Sequence, residues 1–314
     1  MLDVRRLRLL RELARRGTIA AVAEAMAFTP SAVSQQLSAL EREAGVALLQ
    51  RTGRRVRLTP AGHTLVGHAE AVLARLEQAE ADLANTEAGL TGRLRIGAFP
   101  SATQAFIPAA LSALAADHPG LEPHVAELDP ALVADALRAG ELDVALVHDY
   151  DLVPFPPEAG VRTEPLYREI MFLASTTPRA ATPDTVLTTC RDEPWIVATT
   201  GTRCHTMTMR ACQAAGFLPH IRHRIDEFGT VLAFVAAGHG VALVPELGAA
   251  HPPATVILTE LPIARHTRIA FRAGADRHPA IAAFAAAMHA TVGASGARGS
   301  VNAPPRHHQR PFEA

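Results

Sequence analysis

Apolar and polar positions alternate most regularly between residues 29 and 45, where the pattern predicts an amphipathic helix. Thr29 can cap the helix through its hydroxyl, and Pro30 suits the first position because no N–H is needed there. Gly45 is a typical residue for the end of a helix. The apolar positions recur at spacings of four, three and four residues and are Val33, Leu37, Leu40 and Ala44. This face is therefore expected to lie against a core.

The opposite face of this helix is polar and can hydrogen-bond to base edges or to phosphates. The candidate DNA-contacting residues are Thr29, Ser31, Ser34, Gln35 and Ser38, with Arg42 on the same face. Two helices are predicted before it, at residues 2–16 and 19–27, and Ala27-Phe28-Thr29 forms the turn. The layout is typical of a helix-turn-helix that binds double-stranded DNA, with a solvated surface helix as the alternative.

A basic hairpin is predicted directly after this helix. Residues 51–58 alternate apolar and arginine positions after Gly53, which favours two short strands joined by a turn. The arginines are expected to grip phosphates or to enter the minor groove, and they are Arg51, Arg54, Arg55 and Arg57. Residues 1–60 are thus predicted to form a winged helix-turn-helix, called the head below. A solvated arginine loop is the alternative for the hairpin.

A long helix is predicted within a linker of residues 61–90, because Thr59-Pro60 repeats the start signal of the earlier helix. Its apolar residues have heptad spacing and are Leu65, Ala69, Val72, Leu76, Ala79 and Leu83. Little nearby sequence is available to cover this seam, so we expect the same helix of a second chain to do so. The resulting homodimer would present two recognition helices to two half-sites. An intramolecular helix pair is the alternative.

Beyond residue 91 the pattern changes to short strands interleaved with helices, which predicts an α/β body with parallel sheets. The predicted strands are at residues 93–98, 144–147, 169–174, 195–198, 241–244 and 267–271. The predicted helices are at residues 101–116, 132–139, 206–215, 230–237 and 280–290. We expect two lobes: lobe I from residues 91–162 and 264–293, and lobe II from residues 163–263. Residues 294–314 are predicted to be a disordered tail.

The distribution of charge supports a DNA-binding head on a body with another role. The first 60 residues hold 11 arginines and five acidic residues, although the formal net charge of the chain is −1. No apolar run approaches the about 18 residues of a transmembrane helix, and the N-terminus does not resemble a signal peptide. Three cysteines in 314 residues are typical of a reducing compartment. We therefore expect a cytoplasmic protein with no membrane partner.

The chain resembles the LysR-type transcriptional regulators over residues 1–292. The most specific segments are AVAEAMAFTPSAVSQQLSALEREAGVALLQR and RRVRLTPAG in the head, and GRLRIGAFPSATQAFIPAAL, AGELDVALV and AAGHGVALVP in the body. The resemblance implies a winged helix-turn-helix, a dimerising linker helix and a two-lobed effector domain of the periplasmic-binding-protein type. It also implies a homotetramer. Many members have arginine directly after the serine equivalent to Ser34, whereas Gln35 stands here and favours adenine over guanine.

Two turns rich in hydroxyl groups are the candidate effector-binding sites, because two-lobed α/β domains bind small molecules between their lobes. Ser101 and Thr103 follow the first strand of the body, and Thr200 and Thr202 follow the strand that ends near residue 198. Such turns suit a carboxylate or an amino-acid-like metabolite, and plain helix capping is the alternative.

The resemblance places ligand contacts at both turns and implies further contacts near His148 and Phe228. A structural histidine is the alternative for His148. A metabolite that bridges the lobes would stabilise one closure, and thereby change operator bending or contact with RNA polymerase.

The sequence disfavours three other functions. An enzyme is disfavoured because the chain has no P-loop, GxSxG or HExxH motif, and we predict no catalytic residues, no metal site and no cofactor. A redox sensor is suggested by the resemblance, because peroxide-sensing relatives use two cysteines in lobe II. However, Cys204 and Cys212 would lie about 12 Å apart on an unbroken helix. A periplasmic solute-binding protein fits the α/β half alone.

Overall fold

The computed structural model describes residues 1–52, 55–84, 89–154, 158–179, 182–183 and 185–294, without the side chains of residues 51, 52 and 55. The predicted tail, apart from its first residue, and residues 85–88 of the predicted linker lie outside this part of the chain. The head contains α1 (Val4–Arg16), α2 (Ile19–Ala25), α3 (Pro30–Ala44), β1 (Leu49–Thr52) and β2 (Arg55–Leu58). One further helix, α4 (Pro60–Ala84), follows the head.

The predicted signals at the ends of α3 are confirmed. The Thr29 hydroxyl accepts a hydrogen bond from the Ala32 N–H at 3.2 Å, and Gly45 ends the helix at a φ of 69°, in the left-handed region that glycine adopts without strain. The apolar stripe packs against α1 and the first turns of α4 in one core, whose buried members include Leu10, Val33, Leu37, Leu40 and Ala69. β1 and β2 pair as an antiparallel hairpin, as predicted for the wing.

The body is built on a six-stranded sheet that both lobes share. Its first half contains β3 (Thr91–Ala98), α5 (Pro100–Ala105), α6 (Ile107–Asp117), β4 (Gly120–Glu127), α7 (Pro130–Ala139), β5 (Val144–Tyr150) and β6 (Val161–Ser175). Its second half contains β7 (Pro194–Val197), α8 (Arg203–Ala214), β8 (His220–Arg224), α9 (Phe228–Ala236), β9 (Ala242–Pro245), β10 (Ile257–Arg272) and α10 (Pro279–Ala294). The strand order in the large sheet is β4-β3-β5-β10-β6-β9.

The expectation of parallel sheets is wrong for the middle of this sheet. β3 is parallel to β4 and β5, but β10 is antiparallel to both β5 and β6. β6 and β10 are the two long strands on which the chain crosses from one lobe to the other and returns, so they run in opposite directions. The boundaries expected near residues 162 and 263 fall inside these strands.

Two elements were missed from the sequence, and one predicted helix is broken. β4 and β8 were not predicted; β4 carries few apolar residues and lies at an edge of the sheet, where most of its side chains are exposed. The helix predicted at residues 101–116 is divided at Phe106 into α5 and α6, because Pro108 cannot continue a helix that began at residue 100.

Candidate functional site

The predicted recognition face of α3 is largely open to solvent. Ser31, Gln35 and Ser38 are exposed and Ser34 is half-buried, so these side chains can reach a duplex. Thr29 is engaged at the helix cap, and its hydroxyl also lies 3.0 Å from that of Ser31. The candidate base-reading residues therefore share one open surface.

The neighbouring glutamine has a different environment. Gln36 accepts a hydrogen bond from the Arg6 side chain at 2.9 Å, and Arg6 also forms an ion pair with Glu43 near the end of α3. These bonds hold α3 on α1, so Gln36 has a structural partner whereas Gln35 points to solvent. The two glutamines form a natural matched pair for experiment.

Of the four wing arginines, only Arg57 has a described side chain, and it is exposed on β2. The side chains of Arg51 and Arg55, and all of Arg54, lie outside the described residues. The hairpin itself lies directly after α3 in the chain. Its position is that of a wing beside a recognition helix.

The predicted dimerisation seam on α4 divides into two parts. Ala69 is buried in the core of its own head and Leu65 packs against that core, so these two residues are covered within one chain. The physical reason is that the first turns of α4 complete the small core of the head. Val72, Leu76 and Leu83 are exposed by 40%, 39% and 68%, and Ala79 is exposed beside them. An apolar surface suitable for a partner helix therefore begins at Val72.

A buried polar patch lies on β5 and on the two crossing strands, β10 and β6. Residues directly opposite on antiparallel strands share a face, as do residues two apart on one strand. The strand register aligns His148, Thr267 and Tyr167 in one row and Tyr150, Arg265 and Glu169 in the next. All six side chains are at least nine-tenths buried. We call these six residues the hinge patch.

Arg265 is the centre of the hinge patch and touches both lobes. Its Nε donates to Glu169 at 2.7 Å and its Nη2 donates to the Ser101 hydroxyl at 3.0 Å. Glu169 also accepts from the Leu247 N–H at 2.7 Å. The Arg265 guanidinium carbon lies 5.0 Å from the centre of the Phe99 ring, within the range of a cation–π contact. This buried pair thus joins α5 of lobe I to the segment after β9 in lobe II.

Two polar atoms of the hinge patch have no hydrogen-bond partner, namely Nδ1 of His148 and Oγ1 of Thr267. The hydroxyls of Tyr150 and Tyr167 interact with Cys204 and Glu246, respectively. Burial lowers the pKa of His148 well below its ordinary value, and the nearby Arg265 and Arg203 lower that pKa further, so the ring is neutral at pH 7. A buried polar group without a partner is destabilising, which makes this patch a candidate binding surface.

Of the six predicted effector residues, Ser101 and His148 lie at the hinge patch. The His148 ring packs there edge-on against Phe99, with ring centres 4.6 Å apart. Thr103 instead donates to the Phe99 carbonyl at 3.2 Å. Thr202 caps α8 by accepting from the His205 N–H at 3.1 Å, which agrees with the capping interpretation.

The remaining two effector candidates, Thr200 and Phe228, also lie in lobe II. Thr200 is exposed in the turn before α8, next to Thr199, which hydrogen-bonds to Asp226 through its N–H and its hydroxyl, each at 2.7 Å. Phe228 packs against the core formed by α9 and β9. Its ring is so close to Gly248 that a Cβ there would lie 2.6 Å from Phe228 Cδ2.

Sequence reasoning missed Arg265, Glu169, Tyr150 and Thr267. A signal was present, because Arg265 and Glu169 are charged residues inside strands with otherwise buried positions. Only the strand register shows that they are opposite each other. That register depends on a long-range pairing which no local pattern encodes.

The cysteines are thiols rather than thiolates. Burial raises the pKa of Cys204 to about 11 and that of Cys212 to about 12, and it also raises the pKa of Cys190. A reactive cysteine needs a lowered pKa. In the described part of the chain we find no cluster of three metal-ligating side chains, and no described helix has the length and apolar character to span a bilayer.

Comparison with known proteins gives a consistent result for both halves of the chain. Residues 4–63 match the family model for bacterial regulatory helix-turn-helix proteins of the lysR family, and residues 87–293 match that for the LysR substrate binding domain. The probable HTH-type transcriptional regulator LrrA of Synechococcus elongatus is 30% identical over 300 residues, which cover 93% of this chain and 98% of LrrA. A probable hydrogen peroxide-inducible genes activator of Mycobacterium avium is 31% identical over 71% of each chain.

Solved structures of similar proteins share the fold. A full-length OxyR variant from Pseudomonas aeruginosa has a TM-score of 0.60 at 24% identity, covering 97% of this chain and 99% of that one. Full-length BenM has a TM-score of 0.57 at 21% identity, covering 96% of this chain and 100% of the other. At this level of identity the likeness concerns the architecture alone.

Proposed function

This chain belongs to the LysR family of DNA-binding transcriptional regulators with an effector-binding domain, and on that premise we propose that its effector binds at the hinge patch. The observation that supports this proposal is the set of buried polar atoms without partners on Thr267 and His148. A ligand that hydrogen-bonds to these atoms would recover the free energy lost by their burial, about 1–3 kcal/mol for each group.

We propose that the effector carries a carboxylate. The guanidinium groups of Arg265 and Arg203 lie near enough to His148 to lower its pKa further. An anion is attracted to cationic groups, and the Ser101 hydroxyl beside Arg265 can donate a hydrogen bond to it. The remainder of the ligand would meet neutral hydrogen-bonding groups, the His148 ring and the hydroxyls of Tyr150 and Thr267.

The proposed site is positioned to influence the angle between the lobes. Arg265 is bonded to Ser101 of lobe I, while its partner Glu169 is bonded to Leu247 of lobe II. A carboxylate that bonds to Arg265 therefore changes a contact made by both lobes. It will favour one closure only if it binds that closure more tightly than the other.

A thermal-shift screen of the full chain against small carboxylates tests the binding site. At a concentration of 100 times Kd, a ligand stabilises by about 2.7 kcal/mol, which raises Tm by several degrees. For a ligand that shifts Tm, Ser101→Ala should raise the Kd at least about fivefold. Ser112 is an exposed serine of α6, and Ser112→Ala should leave this Kd unchanged. A flat response of the wild type, or equal binding by both variants, contradicts the proposed site.

We also propose that Val72, Leu76, Ala79 and Leu83 form the interface of a homodimer, with a homotetramer as the larger assembly. Burying an exposed leucine at the interface contributes about 2 kcal/mol for each chain to the free energy of dimerisation. Leu76→Glu should therefore shift the chain towards monomer in sedimentation-velocity experiments, while Leu218→Glu, at an exposed leucine in the turn before β8, should not. An unchanged mass for Leu76→Glu would contradict this interface.

A further inference from the structure

The only aromatic side chain of the head does not lie in its core. Phe28 is the single aromatic residue among residues 1–60, and it is 53% exposed. Met26, two residues earlier, packs instead against the core of the head. A single exposed apolar side chain is common on protein surfaces, so the position of Phe28 within the head decides whether it is a contact residue.

The turn before α3 fixes the backbone that carries Phe28. Ala27 has a φ of 54° and is the one non-glycine residue with a positive φ in the described part of the chain, a conformation that L-residues rarely adopt. The Phe28 N–H donates to the Ala23 carbonyl at 2.8 Å. The Thr29 carbonyl accepts from the Val33 N–H at 3.1 Å. The ring of Phe28 is therefore held on a backbone that is hydrogen-bonded on both sides.

Phe28 stands at the N-terminal end of the recognition helix. It directly precedes the cap residue Thr29, and Pro30 and Ser31 are exposed beside it. In a helix-turn-helix, the N-terminal residues of the recognition helix contact base edges in the major groove, and residues 4–63 match the family model of such proteins. The exposed ring therefore lies on the side of the head that a duplex approaches.

The chemistry of the major groove indicates which group such a ring would contact. Base pairs present hydrogen-bond donors and acceptors there, and the apolar group among them is the C5 methyl of thymine. A phenylalanine ring cannot form a hydrogen bond, so placed against a donor or acceptor it would remove water from that group without replacing it. Against the methyl group it buries apolar surface on both sides. A T·A pair is therefore the favoured partner of Phe28.

From this position and chemistry we propose that Phe28 reads thymine by packing against its C5 methyl group. The contact is distinct from that of Gln35, which lies about 8 Å further along α3 than Pro30. Base pairs are about 3.4 Å apart along a duplex, so Phe28 and Gln35 face different base pairs. The head then combines two kinds of recognition, apolar packing at Phe28 and hydrogen bonding at Gln35.

Replacing thymine by uracil removes this methyl group and changes no donor or acceptor of the base, so it tests the contact directly. Duplexes selected by the wild type from a random library are synthesised again with each thymine in turn replaced by deoxyuridine. At one position, the replacement should raise the Kd of the full wild-type chain about fourfold, as expected for one methyl group that is no longer buried. Phe28→Ala should raise the Kd for the thymine duplex and should bind the uracil form of that position equally well.

Val46→Ala is the matched control within the head. Val46 is 52% exposed and follows Gly45 at the opposite end of α3, about 22 Å from its first turn. This variant should keep the wild-type Kd and the wild-type response to uracil. Gln35→Ala should also keep that response, because it concerns another base pair.

Two results of this comparison overturn the proposal. One is a wild type whose Kd responds to uracil at no position of the selected duplexes. The other is a Kd of Phe28→Ala that rises by the same factor on the thymine and uracil duplexes, because the ring then contacts the sugar–phosphate backbone rather than the methyl group.

A second measurement uses the wild type alone and therefore decides the matter even if Phe28→Ala does not fold. In 5-iodouracil the iodine atom occupies the place of the thymine methyl group, and irradiation links the base to a side chain in contact with it. The responsive thymine is replaced by 5-iododeoxyuridine, the complex with the full chain is irradiated, and the linked peptide is sequenced by mass spectrometry. The linked residue should be Phe28. A link to another residue, or no link at this position, overturns the proposal.

Discussion

Thr267→Val separates a binding surface from an ordinary core more clearly than any other substitution in this chain. Thr267 is 1% exposed and its hydroxyl has no hydrogen-bond partner. Valine has the same shape without the polar atom, so the substitution removes the free-energy penalty of that hydroxyl, about 1–3 kcal/mol. In a chain of this size we expect an increase in Tm of roughly 1–5 °C.

The same substitution should weaken binding of the effector, because the ligand can no longer form a hydrogen bond with the Thr267 hydroxyl. Removing a hydrogen bond of about 0.5–1.5 kcal/mol corresponds to a roughly two- to tenfold increase in Kd. Thermal unfolding and isothermal titration on the full chain measure the two effects independently. A gain in stability combined with a loss of affinity is the signature of a preformed binding site.

Thr208→Val is the matched control. Thr208 is 2% exposed, but its hydroxyl donates to the Cys204 carbonyl at 3.1 Å, so valine there removes a bond that is present. We expect no gain in Tm and no change in the Kd of the effector. If Thr267→Val lowers Tm as Thr208→Val does, the Thr267 hydroxyl is satisfied in solution and the reasoning about the hinge patch is refuted.

Three further predictions concern the other candidate groups. Gln35→Ala should relax the base preference at one position of duplexes selected from a random library. Gln36→Ala, which loses only its bond to Arg6, should keep the wild-type preference. Equal base preferences for Gln35→Ala and the wild type would contradict the role of Gln35. Because the pKa of His148 is lowered in the folded chain, the unfolded chain takes up its proton first. The free energy of unfolding should therefore fall by up to about 1.4 kcal/mol per pH unit below pH 6.5, and His148→Phe should reduce this slope in urea titrations between pH 7 and 5.5. With the pKa of Cys204 near 11, peroxide should leave DNA affinity unchanged in the wild type and in Cys204→Ser, whereas a peroxide effect lost in Cys204→Ser would restore the redox hypothesis.

The head could be predicted almost entirely from the sequence, because its determinants are local. The cap at Thr29, the stop at Gly45 and the apolar spacing of α3 each act within a few residues, and all are present in the structure. The predicted dimerisation seam of α4 could be predicted less well. The heptad spacing is present in the sequence, but Ala69 belongs to the core of the head. A heptad pattern does not show which partner covers each turn of the helix.

The hinge patch could be predicted only in part. Ser101 and His148 were singled out from strand ends and from family resemblance, and both lie there. Arg265 and Glu169 are 96 residues apart in the chain, and their pairing depends on which strands the chain brings together. The ion pair between Arg15 and Asp135 was not predicted for the same reason, since 120 residues of sequence separate the two side chains.

We propose that a carboxylate at the hinge patch controls how this regulator binds DNA. The direct measurement is the affinity of the full chain for its selected duplex, with and without the carboxylate that raises Tm, in the wild type, Ser101→Ala and Ser112→Ala. We predict a change of at least about fivefold in the wild type and in Ser112→Ala, in the range of typical coupling between sites, and little change in Ser101→Ala at the same ligand concentration. A ligand that binds without changing the affinity of the wild type for DNA, or changes it equally in Ser101→Ala, contradicts the claim.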